Sequence, residues 1–65
     1  MIQGRAEHPA RRDRRDVILT ASLHLFAHKG FHGTSMRDIA RSAGITEGLI
    51  YHYFASKRDL FRAII

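Results

Sequence analysis

The sequence has 65 residues, and its eleven Lys and Arg against six Asp and Glu give a formal net charge of +5 at pH 7. A chain this short has room for one domain with a small core, and its charge favours a polyanionic partner such as a nucleic acid, with a merely solvated basic surface as the alternative. It contains no cysteine, which excludes disulfides and thiolate metal sites. It also has no signal-peptide core and no apolar run of the roughly 18 residues that span a membrane. A soluble, cytoplasmic protein is therefore expected.

The first 12 residues are predicted to be a flexible basic arm. Residues 1–10 mix glycine, proline and scattered charges without apolar periodicity. An arginine run follows, broken only by Asp13, and consists of Arg11, Arg12, Arg14 and Arg15. This run is either the solvated start of a helix or part of a mobile arm that grips phosphates or enters the minor groove of DNA.

Helix 1 is predicted from Asp13 to Lys29, with Gly30 as its left-handed cap. Its apolar face recurs at every third or fourth residue and consists of Ile18, Ala21, Ser22, Leu25 and Phe26. Leu19 and Leu23 lie off this face and form a second apolar strip. Because a chain of this length has little material to cover that strip, we expect another domain to pack there.

Three short helices are predicted after a loop at residues 31–34. Each helix begins directly after a hydroxyl N-cap, namely Ser35, Thr46 and Ser56. Helix 2 ends at Gly44, and helix 3 covers Glu47 to Tyr53. Residues 49–54 are rich in strand-forming types. Both alternating faces of such a strand would be apolar, however, and no second strand is available to pair with it, so a helix is favoured.

Residues 35–54 have the pattern of a helix-turn-helix. That motif needs a small residue where its helices approach, a residue that tolerates positive φ in the turn, and an apolar residue that ties the second helix to the core. Ala40, Gly44 and Ile50 meet these needs. The predicted fold is therefore all-α: a three-helix, homeodomain-like helix-turn-helix head plus the start of a fourth helix, over residues 13–65. An ordinary helical hairpin without a DNA-binding role is the alternative.

A helix-turn-helix places its second helix in the major groove, so the N-terminal half of helix 3 supplies candidates for base contact. With the apolar residues of helix 3 directed inward, this half presents Thr46, Glu47, Gly48 and Leu49 to the base edges. Gly48 lets the backbone approach the groove closely. Glu47 either accepts a hydrogen bond from a cytosine amino group or only stabilises the helix start. Arg37, on the outer face of helix 2, is a candidate for guanine or phosphate.

Polar side chains near the end of helix 3 and the start of helix 4 are candidates for phosphate contact. Tyr51, Tyr53 and Lys57 would fix the register of the protein on the duplex without reading its sequence. Either tyrosine is alternatively a half-buried core aromatic. His52 is either a further phosphate contact or simply an exposed side chain.

The pattern Tyr-x-Tyr-Phe-x-Ser-Lys at residues 51–57 is the most distinctive motif of the chain. Shorter matches precede it, namely Leu25-Phe26, Gly30-Phe31, Thr34-Ser35, Ile39-Ala40 and Ala43-Gly44-Ile45. At these residues the sequence resembles the tetracycline-repressor (TetR) family of bacterial transcriptional regulators. The resemblance covers about Val17 to Ile65.

The resemblance implies a homodimeric repressor whose helix-turn-helix head binds a palindromic operator in double-stranded DNA. A larger, all-helical C-terminal domain would bind a small effector and form the dimer. The implied base contacts are Arg37, Glu47, Gly48 and Leu49. The implied phosphate contacts are Ser35, Thr46, Tyr51, Tyr53 and Lys57.

Two features depart from this family pattern. Glu47 replaces the basic or small polar residue common at its position, and Leu49 is bulkier than many, so the operator cannot be copied from relatives. The sequence also stops inside helix 4. We therefore expect a fragment or an isolated head, which alone would be a monomer with weak, mostly non-specific DNA affinity.

Other classes of function are less well supported by the sequence. No Ser/His/Asp grouping, paired carboxylates or glycine-rich phosphate loop indicates an enzyme, and no cofactor is expected. A zinc site at His24, His28 and His32 is an alternative, although no acidic or thiol ligand accompanies the histidines. Two further alternatives are a small helical protein-interaction module, which would lack the steep salt dependence of DNA binding, and a stand-alone non-specific DNA-binding domain.

Overall fold

A computed structural model describes residues 9–65, with side chains from Asp13 onward, and contains four helices. They are α1 (Pro9–Lys29), α2 (Met36–Ala43), α3 (Glu47–Tyr53) and α4 (Lys57–Ile64). Residues 9–65 include no strand, and the predicted all-α architecture of a three-helix head followed by the start of a fourth helix is confirmed. None of these helices is both long and apolar enough to cross a membrane.

Helix α1 begins at Pro9, which is earlier than the predicted start at Asp13. Proline suits the first turn of a helix, because its fixed φ is helical and its missing N–H would have had no partner there. The arginines that follow are good helix formers. Residues 9–12, which were predicted to belong to the flexible arm, are thus part of α1, and the rest of that arm, residues 1–8, lies outside the described residues.

The three short helices begin at the hydroxyl caps that the sequence predicts. Ser35 Oγ accepts a hydrogen bond from Asp38 N at 3.0 Å, Thr46 Oγ1 from Leu49 N at 3.2 Å, and Ser56 Oγ from Asp59 N at 3.1 Å. At α2 the Asp38 carboxylate also accepts from Ser35 N at 3.0 Å, which completes the predicted capping box. Each cap gives a partner to a backbone N–H that would otherwise lack one, which is worth about 1 kcal/mol.

The turn between α2 and α3 depends on Gly44. Its φ of 74° is in the left-handed region, which costs a residue with a Cβ roughly 1–2 kcal/mol. Gly44 N donates to Arg41 O at 3.3 Å, and Ile45 N donates to Ala40 O at 3.0 Å. Because these two bonds close the end of α2 within two residues, Thr46 can begin α3 immediately.

The core lies between the four helices. Each helix contributes one aliphatic side chain with no exposed surface, namely Ile18, Ile39, Ile50 and Leu60. Burial of such a side chain stabilises the fold by roughly 1.5–3 kcal/mol. A helix as short as α3 is not stable alone, so Ile50 and the buried Phe54 hold it in place. With these residues inward, the opposite face of α3 is directed to solvent.

The prediction of a second apolar strip on α1 is correct for Leu23 and wrong for Leu19. Leu19 is half-buried and packs against the core, whereas Leu23 is 51% exposed. Helix α1 contacts both α2 and α4, so its buried surface is wider than the single stripe that the sequence periodicity predicts.

Candidate nucleic-acid interface

The beginnings of α2 and α3 meet at a shallow depression lined by Ser35, Met36, Arg37, Glu47 and Tyr51. We call this surface the α2–α3 groove. Apart from Met36, each lining residue was predicted from the sequence as a base or phosphate contact. The fold thus brings together residues that lie up to 16 positions apart in the sequence.

Arg37 and Glu47 form an ion pair across the α2–α3 groove. Arg37 Nε lies 3.7 Å from Glu47 Oε1, and the two side chains are 75% and 42% exposed. An exposed pair at this distance contributes little to stability. The carboxylate lies beside the guanidinium at the start of α3. The sequence did not predict this pair, because the turn at Gly44 determines how closely the two helices approach.

The leading edge of α3 is open to solvent. Thr46 and Gly48 are exposed, Glu47 and Leu49 are half-buried, and the next residue, Ile50, is fully buried. A Cβ at Gly48 would meet no atom within 4 Å. The backbone of α3 is therefore accessible to a large partner at Gly48, as its proposed approach to the major groove requires.

The two tyrosines of α3 occupy different environments. Tyr51 is 49% exposed and lines the α2–α3 groove. Tyr53 is half-buried and packs against the core, so the core alternative describes its ring. His52 is exposed, and its ring lies 5.5 Å from that of Tyr53 in an edge-on arrangement. Contact of any of the three with phosphate stays a prediction.

Lys57 makes contacts within the protein that the sequence did not predict. Its Nζ donates to Phe31 O at 2.6 Å and to Thr34 O at 2.8 Å. The same nitrogen lies 4.3 Å from the centroid of the Phe31 ring. The ammonium that was predicted to contact phosphate is therefore engaged by the segment between α1 and α2.

A carboxylate at the start of α2 is stabilised in its ionised form. The pKa of Asp38 is lowered from 3.8 to about 2, first by the hydrogen bond from Ser35 N and then by the hydrogen bond from Lys29 Nζ at 3.1 Å. At neutral pH Asp38 is therefore charged, so that it ties the end of α1 to the beginning of α2.

The histidines of the zinc alternative are not grouped as metal ligands. Within the described part of the chain, no three His, Asp or Glu side chains come together in a way that could hold a metal ion. His28 Nδ1 lies 2.9 Å from His24 O, one helical turn earlier, and is paired with that backbone oxygen. The structure thus provides no support for zinc binding at these residues.

The sequence and the fold agree with those of a known family. The family model described as bacterial regulatory proteins, tetR family, matches residues 18–64, which include all of α2, α3 and α4. The chain belongs to the tetR family. Its curated relatives include the HTH-type transcriptional regulator UidR of Escherichia coli K12, which is 45% identical over 51 residues. The HTH-type transcriptional repressor KstR2 of Mycolicibacterium smegmatis is 42% identical over 52 residues.

Solved structures of similar proteins share the fold of this tetR-family head. A HlyIIR mutant protein superposes with a TM-score of 0.81 at 30% identity, over 83% of this chain and 30% of that one. A putative tetR-family transcription regulator from a Shewanella species superposes with a TM-score of 0.77 at 43% identity, over 78% of this chain and 27% of that one.

The matched region is a small part of each relative. It covers 78% of this chain and 26% of UidR, and 80% of this chain and 25% of KstR2. The chain thus spans about a quarter of the length of these relatives. They are transcriptional regulators, which are not enzymes. Membership of the tetR family supports DNA binding in transcription regulation and does not favour the alternative of a protein-interaction module.

Proposed function

We propose that the chain is the DNA-reading head of a transcriptional repressor and that α3 enters the major groove. The observation that carries this proposal is the α2–α3 groove, where an exposed helix start lies beside an exposed arginine. The buried side chains of Ile50 and Phe54 anchor α3 to the core, so that its leading edge is held in place for insertion into the major groove. A net charge of +5 favours the approach to a polyanion.

The proposed base-reading residues are Arg37, Glu47, Gly48 and Leu49, with Glu47 acting through Arg37. Arginine recognises guanine by donating two hydrogen bonds to its O6 and N7 atoms, and a neighbouring carboxylate can hold the guanidinium in the orientation that this needs. Glu47 would take that second role, which explains an acidic residue on a face directed to DNA. Gly48 allows close approach of the backbone. The half-buried Leu49 would offer an apolar contact to a thymine methyl group.

Phosphate contacts are proposed for Ser35, Thr46, Tyr51, His52 and Tyr53. Ser35 caps α2, and the N–H groups in the first turn of a helix attract a phosphate because they lack partners within the helix. Thr46 holds the same position at α3. The exposed Tyr51 hydroxyl would fix the register of the protein on the duplex, since phosphate contacts position without reading sequence.

In the whole protein, we propose that two such heads act as a homodimer on a palindromic operator in the bacterial cytoplasm. Two half-sites give the affinity and specificity that one small head lacks. Release by a small effector bound elsewhere in the protein would make the repression reversible. The name of the relative KstR2, a transcriptional repressor, supports this direction of control.

A selection of bound duplexes from a random pool tests the proposal. It uses the dimeric whole protein, which is compared with its variants Arg37→Ala, Glu47→Gln and the control Arg41→Ala, which removes an exposed arginine from the last turn of α2. We expect Arg37→Ala to lose discrimination worth about 1–3 kcal/mol at one base position. Glu47→Gln should weaken preference at the same position, because it releases the guanidinium.

The control separates base reading from charge. Arg41→Ala should lower affinity slightly through its lost charge and leave the selected sequence unchanged. If Arg37→Ala and Arg41→Ala select the same duplexes as the unsubstituted chain, then Arg37 does not read a base and this assignment of the α2–α3 groove is wrong.

A further inference from the structure

Lys57 joins two parts of the molecule that are far apart in the sequence. It is the first residue of α4, and its Nζ donates to the backbone oxygens of Phe31 and Thr34, which lie 26 and 23 positions earlier. Both oxygens belong to the segment between α1 and α2, residues 30–35, which we call the connector. The side chain is half-buried at this contact.

The contact uses both the N–H donors and the positive charge of the lysine ammonium. An ammonium has three N–H donors and no acceptor, and two of them are used at 2.6 and 2.8 Å. Such charge-assisted hydrogen bonds are stronger than neutral ones. The face of the Phe31 ring, 4.3 Å away, adds a cation–π contact. The ammonium of Lys57 therefore already has hydrogen-bond partners within the protein before any DNA is bound.

The connector in turn determines where α2 begins. Thr34 is buried, and its Oγ1 donates to Gly30 O at 2.9 Å and to Leu25 O at 3.3 Å. The carbonyl carbon of Thr34 is bonded to the nitrogen of Ser35, the N-cap of α2. A lysine that holds Thr34 O thus fixes the peptide unit immediately before the α2–α3 groove.

We propose that Lys57 is a positioning residue rather than a phosphate contact. Its ammonium fixes the connector against α4, so that Ser35 and Arg37 are held in place for DNA binding. This inference revises the prediction that the sequence alone gives for Lys57. The effect on DNA binding rests on the proposed function of the α2–α3 groove. The contact between Lys57 and the connector does not, because it is present in the free protein.

The first arm of the test uses the DNA-free chain and NMR spectroscopy. We expect the ammonium of Lys57, which has two acceptors, to exchange its protons more slowly than that of Lys29, the other lysine of the chain, which has one acceptor at Asp38. Lys57→Met should shift the amide signals of His32 and Ser35, which follow the two accepting carbonyls. The control Arg62→Met removes an equal charge from an exposed position of α4 and should leave both signals in place.

The proposal would be overturned if the Lys57 ammonium of the unsubstituted chain exchanged its protons as fast as the Lys29 ammonium does. Unshifted His32 and Ser35 amides in a folded Lys57→Met variant would overturn it too. Should that variant fail to fold, the exchange rate in the unsubstituted chain decides alone. Neither measurement needs DNA, so a failure of the proposed function cannot be mistaken for a failure of this inference.

The second arm measures affinity for a duplex against salt concentration. We expect Lys57→Met to raise Kd about tenfold, with the slope of log Kd against log salt equal to that of Arg62→Met. If Lys57 contacts a phosphate, Lys57→Met should instead lower this slope by about 0.9 more than Arg62→Met does, because the variant releases one counterion fewer on binding. That larger loss of slope would contradict the positioning role. If the unsubstituted chain does not bind duplex, the proposed function fails and the NMR result still stands.

Discussion

Gly33 and Gly48 occupy opposite surroundings in the folded chain. A Cβ at Gly33 would overlap the carbonyl oxygen of Lys29 at the end of α1, whereas a Cβ at Gly48 would meet nothing within 4 Å. The sequence pattern predicts a close approach to DNA at Gly48 and predicts no role for Gly33. The need for glycine at position 33 becomes visible only in the structure, because there the connector passes close to the end of α1 and leaves no space for a Cβ.

Alanine substitutions should separate these two glycines. Gly33→Ala should lower the free energy of unfolding by about 1–3 kcal/mol, since its methyl group forces the connector away from α1. Gly48→Ala is the matched control and should raise the free energy of unfolding by up to about 1 kcal/mol, because alanine favours a helix more than glycine does. Urea unfolding followed by circular dichroism measures both.

The same pair of variants also tests the proposed approach to DNA. If the backbone of α3 lies close to the base edges, Gly48→Ala should bind duplex more weakly although its fold is more stable. Equal unfolding free energies for Gly33→Ala and Gly48→Ala would contradict the structure at the connector. Unchanged duplex binding by Gly48→Ala would contradict close approach at this residue.

Among helices, α2 depends most clearly on one ionised group. Asp38 has a pKa of about 2 in the folded chain against 3.8 for an unperturbed carboxyl. Between these values the unfolded chain binds more protons than the folded one, so stability decreases as the pH falls. The contribution is complete above about pH 4 and is lost as the pH falls through about 2.

Asp38→Asn removes this pH dependence. The free energy of unfolding of the unsubstituted chain, measured by urea titration at several pH values, should fall between pH 4 and pH 2 relative to that of the variant. The cause is the loss of the bonds from Ser35 N and Lys29 Nζ when the carboxylate is protonated. Parallel curves for the two proteins would show that these bonds do not form in solution.

The bounds of α2 and α3 and the start of α4 could be predicted because their signals are local. A hydroxyl cap, a glycine with positive φ and an apolar residue one turn later act within a few positions of each helix end. The start of α1 at Pro9 was missed, since charged and glycine-containing sequence around it resembles a flexible arm. Leu19 was placed outside the core because helical periodicity cannot show that α2 and α4 both pack against α1.

For the molecule as a whole, the candidate site follows from how a small core is filled. One fully buried aliphatic side chain per helix places α3 with its inner face on the core and its leading edge in solvent. Through the helix-turn-helix spacing and the family resemblance, the sequence predicted the residues that line the α2–α3 groove, apart from Met36. It did not predict the Arg37–Glu47 pair or the bonds from Lys57 to the connector, because these join residues that only the tertiary structure brings together.

The α2–α3 groove and the leading edge of α3 are the proposed DNA-binding surface. An NMR titration of the chain with a short duplex shows which residues meet the DNA. We expect the amide signals of residues 35–37 and 46–51 to shift on addition of DNA and to return when salt is raised. Shifts confined to α1 and α4, with both of these segments unchanged at saturating DNA, would contradict this proposal.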